Sequence, residues 1–186
     1  MSRYIKLLLV SMLFLTSAYG AEKERDGGPY IGGGYGLSSY NDGGYYNEVS
    51  TKETNGYNLF GGAYINKYLS VELGYVKSGE FKVKDTSAQS KNFDYSAITV
   101  GALVHYPFWY DSFDIYGKFG AGQSFTSLSS TDGSALVIGA GISYRIDETF
   151  AIRTAYDVYK FNYSSDTRGG YSMDLRYAYA GIEVQF

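Results

Sequence analysis

Residues 57–76 read YNLFGGAYINKYLSVELGYV, and this stretch decides the fold. In its second half Leu69, Val71, Leu73 and Tyr75 occupy one parity, and Ser70, Glu72 and Gly74 occupy the other. Period-two alternation of that kind marks a strand with one apolar face and one small or charged face. In the first half Leu59, Ala63 and Ile65 share a face, while Asn58, Gly62 and Asn66 lie opposite with Phe60 and Tyr64. The turn Asn66-Lys67 between them is short enough to force an antiparallel pair. Soluble sheets alternate too, so the question is whether the pattern repeats and what sits at its ends.

It repeats along the chain. Towards the N-terminus, Ile31, Tyr35 and Leu37 face one way and Gly32, Gly34, Gly36 and Ser38 the other. Towards the C-terminus come Ile98, Val100, Ala102, Val104 and Tyr106, a strand that Pro107 is expected to stop. Ile115 and Phe119 oppose Asp114, Tyr116, Lys118 and Gly120, with a bulge suggested beyond Gly122. Ile138, Ala140, Ile142 and Tyr144 oppose Gly139, Gly141, Ser143 and Arg145. Phe150, Ile152, Thr154, Tyr156 and Val158 oppose Arg153 and Asp157. Finally Ala178, Ala180, Ile182, Val184 and Phe186 oppose Tyr177, Tyr179, Gly181, Glu183 and Gln185. That makes about eight strands of about ten residues, the length and even number of a tilted membrane barrel. Polar stretches at 41–53, 79–92, 127–134 and 162–170 read as four long loops at one end, alternating with short turns at the other. The expected class is all-β: an eight-stranded antiparallel up-and-down transmembrane barrel.

Composition fits that class and excludes others. There is no cysteine, hence no disulfide framework and no thiolate metal site, and the formal charge of -3 is too mild to point to nucleic acid. With 24 Gly and 22 Tyr, the chain suits a closed sheet with a crowded interior. The G-x-G pattern in residues 32–36 has no helix after it and is not a nucleotide loop. Residues 1–20 read as a secretory signal peptide: Arg3 and Lys6, an apolar core from Leu7 to Leu15, and a small-x-small site at Ala18-Tyr19-Gly20. Residues 21–28 read as a short charged leader and 29–186 as the barrel. Aromatics collect where the apolar parities end beside short turns: Tyr68, Tyr106, Phe113, Tyr144 and Phe150, with Phe186 at the C-terminus. They are expected to form an interfacial girdle on the periplasmic side.

The runs FGGAYINKYLSVELGY, YPFWYDSFDIYGKFGAG and GAGISYRIDETFAIRTAYDVY resemble successive strands of the OmpA-type transmembrane domain. The resemblance covers most of Tyr30 to Phe186, and no peptidoglycan-binding domain is expected after Phe186. It implies that Gly181, Ile182, Val184 and Phe186 form a C-terminal signal for the barrel-assembly machinery, and it brings periplasmic chaperones in as partners. It also implies a lumenal ion pair between Glu72 and Arg153, both on the inward parity, and a lumenal base at Lys118. Ser143 stands where that family has an acid and Leu103 where it has another base. A less charged plug is therefore expected, supplemented by Phe60, Tyr64, Tyr116 and Tyr179.

His105 is the only histidine and shares the inward parity. With no Ser, Cys or second ligand apparent beside it in sequence, neither catalysis nor metal binding is expected, and no cofactor is implied. The expected role is a small outer-membrane barrel of a Gram-negative bacterium that supports membrane structure. Its loop tyrosines and lysines would contact lipopolysaccharide, a host surface or a phage. A narrow porin-like channel is the alternative, and a lipid-modifying enzyme a more distant one.

Overall fold

The computed structural model describes residues 27–41, 48–51, 53–84, 90–109, 112–127, 133–165 and 169–186. The expected signal peptide and most of the leader lie outside them. The strands are β1 (Gly28–Asn41), β2 (Glu48–Thr51), β3 (Glu53–Asn66), β4 (Leu69–Ser78), β5 (Phe81–Lys84), β6 (Ser90–Phe93), β7 (Tyr95–Phe108), β8 (Phe113–Thr126), β9 (Gly133–Arg145), β10 (Phe150–Ser165) and β11 (Gly169–Gln185). Eight of them close into one antiparallel barrel in the order β1-β11-β10-β9-β8-β7-β4-β3, and β1 pairs with β3 across the seam. Closure leaves no unpaired edge, which is what a lipid environment demands of a sheet.

The two faces differ as the alternation requires. Outward-pointing Ile31, Leu59, Val100, Val104, Phe119 and Ile138 are exposed, while Glu72, Lys118, Arg153 and Asp157 are buried inside. The apolar belt ends towards the short turns in a row of exposed rings, Tyr68, Tyr106, Tyr144, Phe150 and Phe186, with half-buried Phe113 packed on Tyr144 at 4.8 Å. A second row borders the other end of the belt. It comprises Tyr35, Tyr57 and Tyr156, with Tyr75 beside Tyr57 at 6.2 Å.

Several local expectations are corrected. Residues 41–53 and 79–92 are not plain polar loops: β2, β5 and β6 form a three-stranded sheet there. Phe81 and Phe93 face each other in its register and are buried, packing on Tyr40 at 5.5 and 4.9 Å. Pro107 does not stop its strand. β7 runs on to Phe108, with Pro107 opposite Asp114, because a strand end beside a turn tolerates a missing N–H. No bulge follows Gly122, since β8 keeps an unbroken register with β7 and β9. The irregularity lies instead in the β3–β4 hairpin, between Tyr64 and Asn66, and its turn is Lys67-Tyr68. There Asn66 Oδ1 accepts the Tyr68 N–H at 2.8 Å. Much of the expected loop at 162–170 is strand, because β10 and β11 stay paired out to Ser165 and Gly169.

The interior has two zones. Towards the long connections it is aromatic, with Tyr95 and Phe161 stacked at 4.8 Å beneath Tyr40, Phe81 and Phe93. Towards the short turns it is polar and charged.

Candidate functional site

The charged zone is built from inward residues of all eight barrel strands. Arg153, on β10, is 1% exposed. Its Nη1 donates to Glu72 Oε2 at 2.7 Å and lies 3.4 Å from Glu183 Oε2; its Nε donates to the Tyr116 hydroxyl at 2.7 Å. The guanidinium carbon lies over the rings of Phe60 and Tyr116, 4.5 and 4.4 Å from their centroids. Such stacking holds a cation without water. Lys118 Nζ stands 3.0 Å from Glu72 Oε1 and 3.4 Å from Asp157 Oδ2. Glu72, on β4, thus binds two cations that reach it from β8 and β10, and Tyr30 also donates to it at 3.1 Å.

Glycines make room for these large side chains. A Cβ at Gly62 would stand 2.6 Å from the Tyr30 hydroxyl, and one at Gly141 would overlap the Tyr116 hydroxyl. Both rings sit where they do because the facing strands carry no side chain there.

The plug is more charged than the sequence reading expects. Ser143 does leave β9 without an acid, but Asp157 on β10 reaches Lys118 in its place, and Glu183 on β11 gives Arg153 a second carboxylate. Leu103, which stands where the OmpA-type domain has a base, is fully buried. Inward parity already marked both Asp157 and Glu183; the registers supply their partners, setting Glu183 diagonal to Arg153 across β10–β11 and Asp157 level with Lys118 across Gly139 of β9.

His105 is the larger correction, because it is not alone. Its Nδ1 is 2.6 Å from Asp114 Oδ2 and its Nε2 is 2.8 Å from Ser70 Oγ. The hairpin registers produce this cluster. Tyr116 pairs with His105 and Pro107 with Asp114, so Asp114 is the diagonal neighbour of His105 across β7–β8. Ser70 pairs with Leu103 and so lies diagonal to His105 across β4–β7. The order Ser–His–Asp is that of a hydrolase triad. Burial argues against that use: Ser70 and Asp114 are 0% exposed, and the Tyr64 and Tyr116 rings pack on the imidazole at 5.1 and 5.8 Å. Among the described residues, no group of His, Cys, Asp and Glu is arranged to hold a metal ion.

At the short-turn end, Asp147 closes the β9–β10 connection. Its Oδ1 accepts the N–H groups of Phe150 at 2.7 Å and Thr149 at 2.8 Å, and these bonds hold its carboxyl below the usual carboxylate range. At the C-terminus the Phe186 N–H donates to the Pro29 carbonyl at 3.0 Å while its ring is exposed.

The pattern of the outer membrane protein beta-barrel domain matches residues 7–186. The chain belongs to that family. Among curated proteins it is similar to outer membrane protein A of Klebsiella aerogenes, 30% identical over 156 residues, and to that of Escherichia coli O157:H7, 28% identical over 152 residues. Each match covers 77% of this chain, which spans only 43% of the relative's length. Among solved structures it resembles Neisserial surface protein A (TM-score 0.62, 16% identity, covering 90% of this chain and 100% of that one). It also resembles Ail, the attachment invasion locus protein of Yersinia pestis (TM-score 0.57, 20% identity, covering 87% and 99%). The protein is a small outer-membrane β-barrel, located in the outer membrane. In such barrels the short turns face the periplasm and the long connections face outward.

Proposed function

We propose that this protein is a plugged structural barrel that works through its outer surface, in contact with lipopolysaccharide or another cell's surface, and neither conducts solutes nor catalyses a reaction. The observation that carries this reading is the double closure of the lumen. Glu72, Arg153 and Lys118 interlock in the periplasmic half, and the Tyr40, Phe81, Phe93, Tyr95 and Phe161 cluster fills the outer half. An eight-stranded barrel is just wide enough for side chains to fill it, so such a plug leaves no aqueous path.

The outer surface supports the second part. Just beyond the upper aromatic row, Lys160 and Arg176 are exposed on adjacent strands, with Lys77 on the far side and Lys82 on the added sheet. Cations at that level suit the phosphates of an outer leaflet. Ail has been solved with the heparin analogue sucrose octasulfate, a property of that protein. The support here is the position of this chain's own cations. The test is binding of the folded barrel to vesicles with and without lipopolysaccharide, compared with a Lys160→Gln, Arg176→Gln variant. Tighter binding to lipopolysaccharide that the variant loses supports the reading; equal binding to both vesicles counts against it.

A further inference from the structure

We propose that the periplasmic end of β7, led by Trp109, is a foot that binds the phospholipid headgroup layer of the periplasmic leaflet. Three observations carry this: an exposed indole on a backbone that disfavours it, its continuity with the lower aromatic row, and the depth at which it stands.

Trp109 is the single tryptophan and, at 73% exposed, the most exposed large apolar side chain among the described residues. Its φ of 52° lies in the left-handed region, and no other described non-glycine residue has a positive φ. In that conformation the Cβ crowds the following carbonyl oxygen, so glycine or asparagine suits it and a bulky residue does not. The Ser112 N–H donates to the Trp109 carbonyl at 3.2 Å, a backbone bond that asks for no particular side chain at 109. Neither the backbone nor its hydrogen bond calls for the indole, and an exposed apolar group that joins a larger patch marks a contact.

The patch is the lower aromatic row. Phe108 and Phe113 are opposite each other in the β7–β8 register and stack at 5.6 Å, and Phe113 packs on Tyr144 at 4.8 Å. Tyr106, two residues before Phe108 on the same face of β7, is 69% exposed. The β3–β4 turn stands beside them, because the His105 N–H donates to the Tyr68 carbonyl at 2.9 Å. There the Lys67 Nζ lies 5.3 Å from the centre of the Tyr68 ring. Rings beside a cation suit a headgroup layer, where indoles settle between hydrocarbon and water and lysines reach phosphates.

Depth decides between that layer and a soluble partner. Strands rise about 3.4 Å per residue and barrel strands tilt by about 40°, so Phe108 stands about 5 Å further towards the periplasm than Tyr106. The headgroup layer beyond the hydrocarbon is roughly 5–8 Å thick on each side. With Tyr106 at the edge of the apolar belt, Phe108 and the adjoining Trp109 fall within that layer. A soluble periplasmic protein would need them to stand clear of it.

As the single tryptophan, Trp109 reports on its own surroundings. The experiment folds the full chain into nanodiscs of phosphatidylcholine and phosphatidylglycerol, either plain or brominated at a shallow or a deep acyl position. Both faces of a nanodisc meet bulk solvent, so barrel orientation does not matter. The indole emission should lie at shorter wavelength than in the urea-unfolded chain, and acrylamide should quench it less. Shallow bromines should quench it more than deep ones. Emission and acrylamide quenching equal to those of the unfolded chain, with no bromine effect, put the indole in water and overturn the proposal. Stronger quenching by the deep bromines overturns it too, since the ring would then lie in the hydrocarbon. A Tyr106→Trp, Trp109→Phe variant moves the reporter to the edge of the belt and should raise deep quenching relative to shallow. An unchanged ratio overturns the order of depths, and the unaltered chain decides the proposal if that variant does not fold.

Discussion

Replacing Glu72 with Gln keeps the shape of the plug and removes the charge that two cations share. Its carboxylate accepts from Arg153 at 2.7 Å and Tyr30 at 3.1 Å and faces Lys118 at 3.0 Å. After the change Arg153 retains Tyr116 at 2.7 Å and Glu183 at 3.4 Å, and Lys118 retains Asp157 at 3.4 Å. Breaking a buried pair typically costs about 3–5 kcal/mol. Because both cations keep a second, longer carboxylate contact, we place Glu72→Gln near the lower end, at about 3 kcal/mol. Arg153→Gln should cost at least as much, since it also removes the guanidinium that packs on Phe60 and Tyr116. The double variant should lose less than the two single losses together, with a coupling of about 1–3 kcal/mol. Urea unfolding in lipid vesicles, followed by the fluorescence of the single tryptophan, Trp109, measures all three. Strict additivity would refute the claim that these residues act as one clamp.

Val71 faces outward, so Val71→Arg should cost roughly 2–4 kcal/mol in bilayers, and an undisturbed variant would mean that the lipid-facing parity is misassigned. Deleting Phe186 removes one backbone hydrogen bond and an exposed ring, so refolding in vitro should change little; outer-membrane levels in cells should fall if this residue is part of an assembly signal, and unchanged levels would remove that role. The Asp147 turn stabilises the fold only while its carboxyl is ionised: the contribution is full above about pH 4 and is lost as pH falls through the lowered folded value. Asp147→Ala should therefore lower the melting temperature at pH 7 and not at strongly acid pH, and an equal loss at both would show that the two N–H bonds do not depend on charge.

The alternation at Leu69–Tyr75 and in the other strands was enough to read the barrel, because a one-residue period error would turn every side chain to the wrong face. The same arithmetic placed Glu72, Lys118, Arg153 and His105 inside. It did not show their partners. Asp157 and Glu183 lie on the same parity, but the residues they meet depend on the hairpin registers, which set Glu183 diagonal to Arg153 across β10–β11 and Asp157 level with Lys118 across Gly139. His105 was misjudged for a nearer reason. Ser70 and Asp114 are its diagonal neighbours across two hairpins, visible once the registers are fixed but hidden in a linear scan for adjacent residues. The sheet formed by β2, β5 and β6 was missed because its strands have four residues each and sit among polar residues; Phe81 and Phe93 were the available signal.

Single-channel recording of the folded full chain in planar bilayers decides whether the lumen is closed. With Glu72, Arg153 and Lys118 interlocked and the aromatic cluster above them, no discrete openings are expected at neutral pH. A steady, reproducible open conductance from the unaltered protein would contradict it.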